Sequence, residues 1–512
     1  MLNSDFFRRF WTSLFMSLLM LLTVSAYSQN DSLLTDEIDR VLTDSVLTQT
    51  IDKALKARCL DKNQTSVSIV ALPSGKVVYT YNALKPLLPA SVMKIVTTAA
   101  ALYYLSPEYR FKTEFLYNGR RKNGSIQGNF IIRGGGDPRL STEHLWYVAT
   151  QIKASGINEV TGDLLVDAHF FDEFVRTPVE LETEHTQRPY DAKLGALSLN
   201  FNSLAVHVQP GDHVGDTLKV WLDPAPAYMH LHNTGKTTQR RGKKNIVSVY
   251  RTEENADKKV EIRVRGKLPI TAGERVIRLN IDNPMRYTAE TFRALLLKAG
   301  VKIHGETKIV FTPIVAKKLY EHVSQPLSLI LKELNTFSNN FTAEQIVKTI
   351  AAKRYDSPGS HAEGLRLIKD FLLINNVNTD GIVLVDGSGL SRQNQFTTQA
   401  MIDLLATMYS RFDIGPDFIA ALRIMGIGNI LSQRLANSPA RGKIRAKTGT
   451  LNGVSTLAGY VESSNGKVFG YALFLNNNRC GYRHADQIED RIVTAIHKFG
   501  SNPFKYSRTA QR

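Results

Sequence analysis

Pro89-Ala90-Ser91-Val92-Met93-Lys94 leads into a run where Ile95, Val96, Ala99, Ala100, Ala101 and Leu102 crowd together. Proline suits the first turn of a helix, where its missing N–H costs nothing. The stretch therefore predicts a helix over 90–105, opened by Pro89. Ser91 and Lys94 stand about one turn apart and share a face, so the amine can reach the hydroxyl. A helix N-terminus also offers a positive dipole end where negative charge would develop. A lysine enclosed in such a cleft gives up its proton far more easily than in water and can then act as a base. Alone, the S-x-x-K tetrapeptide decides little: a second copy, Ser464 to Lys467, falls in a turn between two expected strands.

Two further motifs lie downstream. Lys447-Thr448-Gly449-Thr450 holds the one K-T-G of the chain. It ends a strand-like run, and Gly449 would let backbone approach a substrate closely. Taken singly it reads equally well as an edge-strand lysine before a turn. Ser338-Asn339-Asn340 supplies an S-x-N, a pattern that also starts at Ser28, Ser198 and Ser463. The copy at Ser338 is distinguished by an interhelical setting and a position between the other two motifs.

Outward from these motifs, helical spacing is expected over 31–60, and strands over 65–71 and 76–81 around Pro73-Ser74-Gly75. From about 111 to 313 short strand-like runs follow one another with few helices. Within that region 236–244, with Arg240, Arg241, Lys243 and Lys244, reads as an exposed basic loop. Helical periodicity returns over 327–409, followed by strands at 443–447, 455–461 and 468–475 and a final helix at 485–499. Helices and strands at both ends thus bracket a β-rich middle. The expected architecture is an α/β (α+β) domain built from both termini, with the middle inserted into it.

The chain has 512 residues, 43% hydrophobic and 22% charged, which excludes disorder and coiled-coil architecture for the bulk. A net charge of +17 suggests an anionic partner. Arg8 and Arg9 precede the apolar run 10–24 and the small-residue stretch Ser25-Ala26-Tyr27-Ser28. That pattern reads as a secretory signal peptide (1–28), cut after Ser28, and the run is short for a bilayer span. Export disfavours nucleic acid as the partner and points to envelope polymers. Cys59 and Cys480 are the two cysteines; one disulfide and two free thiols are both open. With no H-E-x-x-H and no cysteine pair at zinc spacing, a metal site is unsupported. No cofactor is expected. His230 and His232 read as solvated or packed side chains.

In the order S-x-x-K, S-x-N, K-T-G, the three motifs form the combination of serine β-lactamases and penicillin-binding proteins. The chain resembles the D-alanyl-D-alanine carboxypeptidase/endopeptidase family, peptidase family S13, the penicillin-binding protein 4 or class C low-molecular-weight type. The likeness extends to Gly134-Gly135-Gly136-Asp137-Pro138, Gly162-Asp163-Leu164-Leu165-Val166-Asp167, Ala343-Glu344 and Asp386-Gly387-Ser388-Gly389-Leu390-Ser391-Arg392. The interval of 247 residues from Ser91 to Ser338 matches the large insertion that marks this subgroup.

The resemblance implies a β-lactamase/transpeptidase-like fold, with an antiparallel sheet flanked by helices. It implies a catalytic domain from 29–112 and 316–512 around an inserted region at 113–315, either one unit or two nested subdomains. It further implies Ser91 as nucleophile, Lys94 as base, and backbone N–H groups of Ser91 and Thr450 as the oxyanion hole. Ser338 and Lys447 would pass a proton to the leaving group, and Asn340 would bind the substrate amide. Lys447, Thr448 and Thr450 would hold the terminal carboxylate. An acidic residue of the insertion, Glu182, Glu184 or Asp191, would meet the amine of a stem peptide. The expected partners are peptidoglycan stem peptides and, as inhibitors, β-lactams, in the periplasm. A β-lactamase of the same fold and a non-catalytic β-lactam sensor or wall-binding protein are the competing readings.

Overall fold

The computed structural model describes residues 45–173, 186–239, 247–311, 314–428 and 434–499. The signal-peptide reading, Glu182, Glu184 and the basic residues 240–244 lie outside the described residues.

A six-stranded antiparallel sheet carries both chain ends, in the order Arg423–Ile424, Ile444–Leu451, Val454–Glu462, Val468–Leu475, Thr65–Leu72, Lys76–Tyr81. Side chains alternate across a strand. Leu457, Val461, Tyr471 and Leu473 accordingly face one apolar layer, made by a helix at 45–55 and the helix Tyr482–Lys498. Ala458, Tyr460, Ala472 and Phe474 face the other, made by the helices Met93–Leu105, Leu327–Phe337, Asn340–Tyr355, His361–Ile374, Thr398–Ser410 and Gly415–Ala421. A sheet covered on both faces explains why its central strands are near-continuous apolar runs instead of alternating ones.

The helix expected over 31–60 is present at 45–55 among the described residues, and the C-terminal helix starts slightly earlier than expected. Cys59 and Cys480 form a disulfide across 421 residues of sequence, joining the segments beside these two helices. Closing so long a loop restricts the unfolded chain strongly. The double substitution Cys59→Ser/Cys480→Ser is expected to remove about 2–4 kcal/mol of stability. A lowered thermal midpoint, matched by the parent protein in reductant, is the readout.

The middle of the chain is less purely β than its sequence pattern suggests. Its outer part is a five-stranded sheet, ordered Thr307–Val310, Leu164–Asp167, Phe130–Arg133, Lys112–Tyr117, Lys317–Val323. Two helices, Thr142–Ala154 and Pro284–Lys298, pack in the same apolar cluster as that sheet, through Leu145, Val148, Phe292 and Leu296. Both carry start signals that the many turn signals around them obscure: a Ser141/His144 capping box, and Asn283 as cap before Pro284. Further in sequence are a three-stranded sheet, Lys219–Asp223, Ser203–Gln209, Arg275–Asn280, and a four-stranded one centred on Val260–Pro269. Lys236–Thr238 is a strand of the latter, paired with Lys267, Leu268 and Pro269, so this part of the expected basic loop is sheet. Thr237 fills a buried site there, which a freely solvated loop would not provide. His230 and His232 are exposed on the edge strand Met229–Asn233.

Residues 192–195 reach the helical layer through the helix Asn340–Tyr355. Ala192 and Leu194 pack on Phe341, and Gln345 Nε2 donates to Gly195 O at 2.9 Å.

Candidate active site

The turn that carries Ser91 is a 3₁₀ helix, Ala90–Val92, continuing directly into the helix Met93–Leu105. That helix is largely apolar and buried as the hub of its layer, which is why Lys94, its second residue, has no exposed surface. Ala90 sits at φ 46°, a left-handed conformation that L-residues resist. Neighbouring groups hold it there: Thr456 Oγ1 donates to Pro89 O at 2.8 Å, and Asn476 clamps both backbone groups of Leu88. Opposite Ala90, Gly389 has φ +77°, and a Cβ there would lie 1.8 Å from Ala90 O.

Lys94 Nζ donates to Ser91 Oγ at 3.0 Å, to Asn340 Oδ1 at 2.8 Å and to Ser388 O at 2.6 Å. One buried amine therefore ties together three segments distant in sequence. Burial pushes Lys94 down to about 8, against the opposing pull of the Asp386 and Glu344 carboxylates. A group so poised exists partly as the free amine near neutral pH, which a proton acceptor requires.

Ser338-Asn339-Asn340 forms the corner between two helices. Ser338 caps Leu327–Phe337 in the left-handed conformation at φ 55°, and the Asn339 side chain caps the next helix by accepting from Thr342 N at 3.0 Å. Asn340 then begins that helix and faces Lys94. The Ser338 hydroxyl makes no side-chain hydrogen bond among the described residues, and no direct bond links it to Lys447.

Lys447 is buried on the strand Ile444–Leu451, and its Nζ donates to Thr448 O at 2.6 Å. Burial, then the Lys94 and Arg423 charges, hold Lys447 well below the usual lysine range. Thr448 is half-buried and Thr450 exposed. At Gly449 a Cβ would lie 2.8 Å from Ser91 N and 2.2 Å from Thr456 Oγ1. Its missing side chain lets the strand lie directly against the Ser91 turn.

Behind Lys94 is a polar layer whose roles the sequence does not reveal. Asp386 accepts from Gly389 N at 2.5 Å and Ser391 N at 2.6 Å, and Asn394 donates to it at 3.1 Å, so the loop after 385 is built around its carboxylate. Glu344 Oε2 accepts from Gly387 N at 3.1 Å and pairs with His361 Nε2 at 2.7 Å. Thr97 Oγ1 donates to Gly387 O at 2.6 Å. Glu344 and Asp386 occur in the motif blocks noted above; His361 carries no sequence signal, because its partner is decided by helix packing. Of the three acidic candidates, Asp191 is described. It ends the 3₁₀ turn Pro189–Asp191, bonded to Thr186, just before the residues that pack on Phe341, and burial pushes it up to about 6.

The family model for the D-Ala-D-Ala carboxypeptidase 3 (S13) family matches residues 47–498. A D-alanyl-D-alanine carboxypeptidase of Actinomadura sp. (strain R39) is 33% identical over 473 residues, covering 89% of this chain and 85% of that one. D-alanyl-D-alanine carboxypeptidase DacB of Haemophilus influenzae is 26% identical over 439 residues, covering 85% and 88%. Among solved structures, penicillin-binding protein 4 (dacB) from Haemophilus influenzae superposes with a TM-score of 0.75 at 23% identity, covering 88% of this chain and 99% of that one. The same architecture thus recurs in a protein with few identical residues. With the match spanning residues 47–498 and so all three motifs, the chain belongs to the D-Ala-D-Ala carboxypeptidase 3 (S13) family.

Proposed function

We propose that the protein removes the terminal D-alanine from peptidoglycan stem peptides through an acyl-enzyme on Ser91. The observation that carries this reading is the buried Lys94 amine, 3.0 Å from Ser91 Oγ and simultaneously bound to Asn340. Lys94 as free amine takes the hydroxyl proton while Ser91 Oγ attacks the penultimate carbonyl. The oxyanion forms between the N–H groups of Ser91 and Thr450, on the turn and the strand that Gly449 brings together. Ser338 and Lys447 deliver a proton to the departing amine, Asn340 holds the substrate amide, and Lys447, Thr448 and Thr450 bind the free carboxylate. Water then releases the shortened peptide and restores Ser91.

When the leaving amine is the side chain of a cross-linked stem, the same steps make a D,D-endopeptidase. Glu182, Glu184 or Asp191 supplies the acidic contact for such an amine. β-Lactams acylate Ser91 as substrate mimics. Residues 29–112 and 316–512 act as the catalytic domain, and 113–315 as an inserted region of two nested subdomains, in line with its separate sheets. Export to the periplasm, after loss of residues 1–28, brings the basic chain beside the anionic envelope.

Incubation with monomeric and cross-linked muropeptides, followed by mass spectrometry, tests this. D-alanine release and a penicillin adduct mapped to Ser91 are expected. Rapid, repeated nitrocefin turnover would instead make it a β-lactamase, and absence of both product and adduct would leave a binding protein.

A further inference from the structure

Lys94 is the base on the reading above, and the inference here rests on that reading. The amine faces Ser91 on its own helix, Asn340 and the Glu344 carboxylate on the helix Asn340–Tyr355, and Ser388 O and the Asp386 carboxylate on the loop. Across the cleft it faces Lys447, which in turn feels Arg423. Of these groups, Asp386 is engaged in shaping its own loop. Glu344 is different. It is 3% exposed, it is held by His361, and its Oε2 accepts from Gly387 N, on the residue before Ser388, whose carbonyl accepts from Lys94. Thr97, one turn beyond Lys94, holds the same residue through Gly387 O.

We propose that the Glu344–His361 pair is a positioning device for the base: it clamps the Gly387–Ser388 backbone against Lys94 and sets a negative charge behind the amine. Burial works against that charge, but the contacts with His361, Ser388 and Gly387 together outweigh it and hold the Glu344 carboxyl below its usual range. A buried carboxylate costs several kcal/mol unless it is engaged; Oε2 of Glu344 is held by both His361 and Gly387, while its buried Oε1 has no hydrogen-bond partner among the described residues. Its charge stabilises the protonated lysine and therefore raises the pH at which Lys94 becomes a base, opposing the downward push of burial.

The test is the second-order rate of Ser91 acylation by a fluorescent penicillin, measured from about pH 6 to about pH 10. In the parent, acylation rises with pH through a midpoint near 8, where Lys94 loses its proton. Glu344→Gln keeps the side-chain size and removes the charge. Its midpoint is expected about one pH unit lower, since the ammonium loses a stabilising neighbour, with a plateau about tenfold lower because the Ser388 carbonyl is less well held. His361→Ala should shift the midpoint the same way, and His361→Gln, which still donates to Glu344, should restore it. Folded Glu344→Gln protein with an unmoved midpoint overturns the inference. If that variant does not fold, the His361→Ala and His361→Gln pair decides: equal midpoints overturn it, a shift rescued by glutamine supports it. A parent protein that forms no penicillin adduct overturns the reading of Ser91 and Lys94 instead.

Discussion

Lys94→Met is expected to slow penicillin acylation of Ser91, and D-alanine release with it, by about a thousandfold or more, the range associated with losing a positioned general base. Methionine fills the same unbranched channel in the buried hub helix, so the fold should persist; the ammonium it removes was itself expensive to bury. Asn340 Oδ1 and Ser388 O both lose a donor, a cost of about 1–3 kcal/mol for each buried acceptor left without one. Circular dichroism and thermal melting establish that the variant is folded, and acylation is followed by the fluorescent adduct. A rate within tenfold of the parent would assign the base to another group. Lys447 would be the first alternative, since burial also favours its free amine.

Gly449→Ala should lower the acylation rate by about a hundredfold although the residue donates nothing from a side chain. The added methyl would lie 2.8 Å from Ser91 N, 3.0 Å from Ala90 Cβ and 2.2 Å from Thr456 Oγ1. The threonine cannot turn away without releasing Pro89 O, and Ser91 N is backbone. Strand and nucleophile turn must therefore separate, and a displacement near 1 Å is enough for a loss of that size. Overpacking should also cost about 1–3 kcal/mol in stability. Gly273→Ala, at a glycine with no atom within 4 Å of its would-be Cβ, is the control and should change neither rate nor melting. Equal rates for Gly449→Ala and the parent would mean that strand and turn can part without harm to the oxyanion hole.

The α/β architecture and the three motifs were legible because each rests on short-range pattern. The S-x-x-K pair needs one helical turn, the K-T-G one strand, which runs on through the motif to Leu451 instead of ending at Lys447, and the S-x-N one corner where a left-handed cap meets an N-cap. The helices Thr142–Ala154 and Pro284–Lys298 escaped because turn signals on all sides favoured a β reading, although Leu145, Val148, Ala149 and Ile152 keep helical spacing. At Gly449 the sequence shows that a glycine permits close approach but does not name the neighbours, and the Ser91 turn is one of them.

What the sequence determined by itself is the chemistry available: a serine and lysine one turn apart, an asparagine at a helix start, a lysine on a strand, and two cysteines. Only the tertiary structure decided their partners. Lys94 meets Asn340 across 246 residues and Ser388 across 294, and Cys59 meets Cys480 across 421. Glu344 finds His361 on the neighbouring helix, and that pair reaches the base through the Gly387 peptide. The physical reason is that basicity depends on desolvation and on nearby charge, both set by every segment packed around a group. The Lys94 amine, ordinary in sequence, is eased toward its free form when the hub helix is buried, and two distant carboxylates closing in behind it temper that shift.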